Sequence, residues 1–159
     1  MRALSLPALH RLAHLAPLAL RLGLGIVFVV HGVSKLNGGP ATGFGGMLTG
    51  LGVGAPALFA WLVTIAELVG GVLLLIGLLT RLATLPLIAT LIGAIILVKA
   101  DLGVIAGMGS PMPGAELDIA LLAGLVALLF IGPGMLSVDR MLGLESAPVR
   151  ENEPVSARL

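Results

Sequence analysis

Cysteine is absent from all 159 residues. The chain therefore has no disulfide, thiolate nucleophile, thiol relay or cysteine-ligated iron–sulfur cluster of its own. Tyrosine is also missing, tryptophan occurs once and phenylalanine four times, so aromatic residues make up 3% of the chain. Charge is equally scarce. Asp, Glu, Lys and Arg contribute 11% against 58% hydrophobic residues, and the formal net charge is +1. This balance excludes a broad cationic surface, and no basic run interleaved with aromatics occurs, which argues against nucleic acid as a partner.

What fills the chain instead is Leu, Ile, Val, Ala and 23 glycines, with a mean hydropathy of +1.14. A water-soluble domain needs far more polar surface than this. The partner implied is the lipid bilayer. Four apolar stretches stand out: Leu12 to Val33, Ala57 to Leu79, Leu82 to Val98, and Glu116 to Ile131. A helix needs about 20 residues to cross the hydrocarbon core. The first three fit and the fourth is short, so completing its crossing calls on neighbouring residues at modest mismatch cost. The fold class expected is all-α, an integral membrane four-helix bundle occupying 12–142. It lies between an N-terminal segment, 1–11, and a disordered tail, 143–159.

The basic start resembles a secretory signal. However, Arg21 interrupts the apolar run and no small-residue cleavage motif follows, so the first stretch reads as a mature helix. Thr80 and Arg81 leave room only for a tight turn, which makes the second and third spans an antiparallel hairpin. Asn37 to Pro56, rich in Gly, and Lys99 to Ala115 read as external loops, with Phe44, Met47 and Leu48 at the interface. Arg2, Arg11, Arg81, Arg140, Arg150 and Arg158 fall on one side and Lys35 and Lys99 on the other. The expected orientation therefore puts both termini in the cytoplasm of a bacterial cell, with the protein in its inner membrane.

Ionised side chains inside a bilayer are costly unless paired or reached by water, so they carry the functional signal. Arg21 and Glu67 lie at similar distances from the same ends of their apolar runs, which makes them candidates for a pair. On a helical wheel Arg21 shares a face with Gly25, Phe28, Gly32 and Lys35. Glu67 shares one with Thr64, Gly70, Gly71, Leu74 and Gly77. Small residues let membrane helices approach closely, so the charged faces are also expected to be packing faces. At the opposite end His31 and Lys35 close the first helix while Glu116 and Asp118 open the fourth. A compact bundle would gather them. The candidate polar cluster is thus Arg21, His31, Lys35, Glu67 and Glu116, either fixing helix register or binding a ligand between helices.

Metal and haem receive little support. His10 and His14 have i, i+4 spacing but no third ligand. Met108 and Met112 lie in a Gly-rich loop and read as interfacial, and His31 is the only histidine well inside a span. No intrinsic cofactor is evident, and a quinone is the redox group that an inter-helix polar pocket would suit.

In order along the chain stand Arg21 with Gly25 and Phe28, His31-Gly32-x-x-Lys35, Glu67-x-x-Gly70-Gly71, Gly77-x-x-x-Arg81 and Pro113-Gly114-x-Glu116. Last comes Gly132-Pro133-Gly134-x-x-Ser137-x-Asp139. Together these resemble the DoxX family over about Arg21 to Arg140. The resemblance implies a four-helix bacterial membrane protein related to subunits of quinone-linked sulfur oxidation and of oxidative-stress complexes. Arg21, Lys35, Glu67, Glu116 and Asp139 match the polar part of its pattern.

Three functions remain open at this point. One is a redox-associated membrane subunit that holds a quinone for an oxidoreductase partner. Another is a non-catalytic anchor or assembly factor for such partners. The third is a small transporter whose path is completed in a homo-oligomer.

Overall fold

The structure, a computed structural model, describes residues 12–145. The N-terminal segment, His10 and most of the tail lie outside them. After a short 3-10 turn, Ala13–Leu15, helix α1 runs Ala16–Asn37. A π-helical turn, Gly39–Phe44, leads into the short α2, Gly45–Gly50. Then come α3, Pro56–Ile76, α4, Thr80–Leu97, α5, Glu116–Ile131, and a final turn of helix α6, Val138–Met141.

The all-α membrane bundle expected from sequence is present, with one refinement. Among the described residues, three helices are long and apolar enough to cross a membrane: Ala13–Asn37, Pro56–Ile76 and Thr80–Leu97. The fourth, α5, has 16 residues, roughly 24 Å at ~1.5 Å per residue, less than the ~30 Å of hydrocarbon. It completes the bundle without matching the length of a full span. The stretch read as a loop from Asn37 to Pro56 is largely helical. Leu48 is 5% exposed and α2 packs on α3, because Leu48 and the half-buried Phe44 give this glycine-rich segment an apolar face to bury.

The four long helices pack in a ring in which α1 contacts α3, α3 contacts α4, α4 contacts α5, and α5 returns to α1. The core is Leu24 and Phe28 of α1, Leu74 of α3, Ala83, Leu87 and Leu91 of α4, and Leu125 and Leu128 of α5. Outside the ring, Ile26, Val30, Leu62, Ile65, Val69, Leu82, Ile92, Ile96 and Phe130 are exposed. So large a belt of bare aliphatic surface is stable only against lipid.

The predicted packing faces are the buried ones. Arg21, Gly25, Phe28 and Gly32 are buried on α1, and Thr64, Glu67, Gly70, Gly71 and Leu74 on α3. The two backbones touch. A Cβ added at Gly25 would lie 2.9 Å from the Gly71 carbonyl, one at Gly71 2.8 Å from the Val29 nitrogen, and one at Gly32 2.8 Å from the Leu68 nitrogen. These contacts fix the register of α1 on α3.

Gly77 at φ 71° and Leu79 at φ 48° make the α3–α4 turn. A left-handed Leu costs about 1–2 kcal/mol. The opposing force comes from Asp139, whose carboxylate accepts from the amides of Leu79 (2.6 Å) and Thr80 (2.9 Å), satisfying donors at the start of α4.

Candidate functional site

The ionisable residues inside the bundle fall into two groups, one at each end. At the end where α1 begins and α3 stops, Arg21 is 1% exposed. Its Nη1 donates to the Pro133 carbonyl (2.8 Å) and its Nη2 to the Leu136 carbonyl (2.7 Å). The segment that receives it is held in place locally. Ser137 Oγ donates to the Gly134 carbonyl (2.8 Å) and caps α6, while the Asp139 amide donates to the Gly77 carbonyl (2.9 Å). Nearby, Arg81 Nη1 donates to the last carbonyls of α5, Leu129 and Phe130, and Nη2 pairs with Glu145 at 2.7 Å. A cation is favoured at a helix C-terminus. Glu145 itself belongs to the stretch read as disordered from sequence.

Arg21 therefore does not meet Glu67. The register that sets Gly25 against Gly71 sets Arg21 against Gly77, where a Cβ would collide with the guanidinium. From Gly77 to Glu67 is roughly 15 Å along α3 at ~1.5 Å per residue. Depth counted from the ends of the apolar runs misled because the helices are not flush, and the first turns of α1 overhang the end of α3.

Glu67 instead takes Lys35, from the last turn of α1, at 2.5 Å, with the two side chains 19% and 9% exposed. The long aliphatic stem of Lys35 lets its ammonium turn back along the bundle towards the carboxylate. The same ammonium lies 5.1 Å from the centre of the Phe44 ring, within range of a cation–π contact. Beyond the end of α4, Lys99 pairs with Asp118 of α5 and also donates to the Gly114 carbonyl at 3.0 Å. The gathering of His31, Lys35, Glu116 and Asp118 expected from sequence is thus replaced by two separate ion pairs. His31 is exposed, with Nδ1 2.8 Å from the carbonyl of Val27 in its own helix. Glu116 is exposed at the start of α5, and its amide donates to the Val104 carbonyl. Among the described residues no group of three His, Cys, Asp or Glu side chains is placed to hold a metal.

Next to the Lys35–Glu67 pair is a cavity of 850 Å³ between α3 and α4, roofed by Phe44, Met47 and Leu48. Its walls are overwhelmingly apolar. Lys35, Glu67 and Lys99 are the charged groups that line it. The size and the few convergent polar groups are those of a small-molecule site. Phe44 and Lys99 were not among the candidates read from sequence. The signal that could have found Lys99 is its position as the lone cation closing a span opposite the acidic start of α5.

Comparison with known proteins adds to this geometry. The DoxX family matches residues 16–100, the stretch that carries α1, α3, α4 and the Lys35–Glu67 pair. The chain belongs to the DoxX family. Two relatives of this DoxX protein cover most of its length. "Uncharacterized membrane protein Rv3486" of Mycobacterium tuberculosis is 37% identical over 147 residues, 86% of this chain and 89% of the relative. "Putative oxidoreductase CatD" of Bacillus subtilis is 38% identical over 125 residues, 77% of this chain and 83% of the relative. No solved structure matches the DoxX chain. Family membership and the apolar helices together make it a multi-pass membrane protein.

Proposed function

We propose that this DoxX protein is a redox-associated subunit of the bacterial cytoplasmic membrane that holds a quinone head group beside Lys35 and Glu67 for a partner oxidoreductase. The observation that carries the reading is an 850 Å³ apolar cavity with a paired ammonium and carboxylate on its wall. The name of the Bacillus subtilis relative, "Putative oxidoreductase CatD", supports it. When bound, a quinone carries two electrons and two protons between a partner enzyme and the membrane pool. Lys35 donates a charge-assisted hydrogen bond to a carbonyl-type oxygen. Glu67 accepts a hydrogen bond from a hydroxyl through its carboxylate. The apolar wall lowers the local dielectric, which strengthens both contacts. Both lysines at this end face carboxylates, whereas Arg21, Arg81 and Arg140 lie at the other, so the arginine end faces the cytoplasm in this reading.

The test is titration of the purified protein in detergent with ubiquinone and menaquinone analogues. Glu67→Gln and Lys35→Met should each weaken binding about tenfold or more, the effect of losing one hydrogen bond to a charged group. Arg21→Lys should leave affinity unchanged in the fraction that stays folded. Affinity indifferent to both Glu67→Gln and Lys35→Met would remove the site.

One observation favours a second reading, a non-catalytic anchor or assembly factor. The loop before α5 bares Val104, Ile105 and Met108 at 57%, 80% and 107% exposure, an apolar tip suited to a partner protein. If docking is the whole function, Ile105→Ser should abolish co-purification of an oxidoreductase from native membranes while Glu67→Gln leaves it intact.

A further inference from the structure

The space beside Lys35 and Glu67 extends beyond the head-group end. A second, smaller cleft of 210 Å³ continues between α3 and α4, shares Ile65, Ala66 and Pro86 as walls with the first, and extends to Leu79 and Leu82 on the exposed side of the helices. The two make one groove, larger towards Lys99 and smaller towards Leu79. Its origin lies in the sequence. Pro86, inside α4, has no N–H to give to the Leu82 carbonyl, and its ring forms part of the wall where the two clefts meet. Ala66, Ala89 and Gly93 leave the floor low, and a Cβ added at Gly93 would meet nothing within 4 Å.

We infer that this groove holds the isoprenoid tail of a lipoquinone, with the head at Lys35 and Glu67 and the chain passing Ala66 towards Leu79. The inference rests on the quinone reading above and adds which part of the ligand the protein grips. Two features favour this occupant. Charged groups line only the larger cavity, and the smaller cleft is walled by Ile, Val, Leu, Ala, Gly and Pro alone, the polarity profile of an amphiphile with one head and one tail. The head-group pair at Lys35–Glu67 is electrically balanced, which suits a neutral head better than an anionic phosphate.

The experiment compares a long-tailed quinone with its tail-less head-group analogue, binding each to the full chain in detergent and to the Val69→Phe and Gly93→Leu variants. Val69→Phe puts a bulky ring in the smaller cleft, which Val69 lines without lining the head-group cavity. The wild type should bind the long-tailed quinone at least about tenfold more tightly than the analogue, the gain of burying a few methylene-sized groups. Val69→Phe should erase that preference and leave the analogue's affinity unchanged. Gly93→Leu, which narrows the head-group end, should weaken both. A quinone with a photoreactive group at the end of its tail should label the Leu79–Leu82 segment. Equal affinity for the two ligands in the wild type, or labelling no stronger at Leu79–Leu82 than at Ile26, Val30 and Phe130 elsewhere on the exposed belt, overturns the tail groove and leaves the head-group site standing. Binding of neither ligand overturns both. A stable dimer burying α3 and α4 of each copy would assign the groove to a second chain and overturn the inference as well.

Discussion

Lys35 and Glu67 meet at 2.5 Å across 32 positions of sequence, joining the last turn of α1 to the middle of α3 beside the 850 Å³ cavity. Removing one partner of such a pair leaves a charge in a low-dielectric setting, which costs more than the pair itself contributes. Lys35→Met should therefore destabilise the folded protein by on the order of 2 kcal/mol, discounted for the partial exposure of the lysine. The double variant Lys35→Met/Glu67→Leu should recover most of the loss. Thermal unfolding in detergent distinguishes the two. A double variant no more stable than the single one would mean that the pair shapes the fold beyond its charge balance.

Arg21 is bound by carbonyls, so its contribution is geometric. Its guanidinium reaches two oxygens at once, Pro133 and Leu136, through separate nitrogens. A lysine offers one point charge and serves this fork poorly. Arg21→Lys should destabilise by about 1–3 kcal/mol, the penalty for leaving a buried acceptor unsatisfied. The measurement is the unfolding midpoint together with protease sensitivity of the 132–139 segment. A lysine variant as stable as the wild type would sink the claim that both carbonyls depend on the fork.

Close approach of α1 and α3 predicts a sharp contrast between neighbouring glycines. Gly71→Val would drive its side chain into the Val29 backbone, whereas Gly23 faces open space within 4 Å. Gly71→Val should cost roughly 1–3 kcal/mol or more through overpacking. Gly23→Ala should be neutral or stabilising by up to about 1 kcal/mol, because it only raises helix propensity. Equal yields of folded protein for the two variants would contradict the backbone contact.

Asp139 supports the start of α4 from 59 residues away in sequence, through Leu79 and Thr80. Asp139→Ala should lose about 1–2 kcal/mol, the upper range for helix caps, and Asp139→Asn less, since the amide keeps one acceptor oxygen. Hydrogen exchange at the Leu79 and Thr80 amides should accelerate in the alanine variant before the rest of α4 opens. Unchanged exchange there would show that the turn holds without the carboxylate.

Much of this protein can be read directly from its residues. The apolar runs define the helices within a few positions, since a 22-residue stretch such as Ala16–Asn37 has no way to satisfy its backbone in lipid except as a helix. The buried faces follow from spacing, because Arg21, Gly25, Phe28 and Gly32 recur at helical period whatever they pack against. The motif from Gly132 to Asp139 carries its own turn and cap. The depth of Arg21 was misjudged because an apolar run shows where a helix lies in lipid and says nothing of how far it slides past its neighbour.

The sequence by itself determined the solvent, the helical class and the side of each helix that turns inward, for these depend on local composition and on a fixed period of rotation. Only the tertiary structure decided who pairs with whom. Partners are set by axial offset, and that offset comes from glycine backbones such as Gly25 and Gly71 coming into contact, a steric event between distant segments. A shift of two or three turns along α3 exchanges Glu67 for Gly77 as the neighbour of Arg21, and no one-dimensional pattern records it.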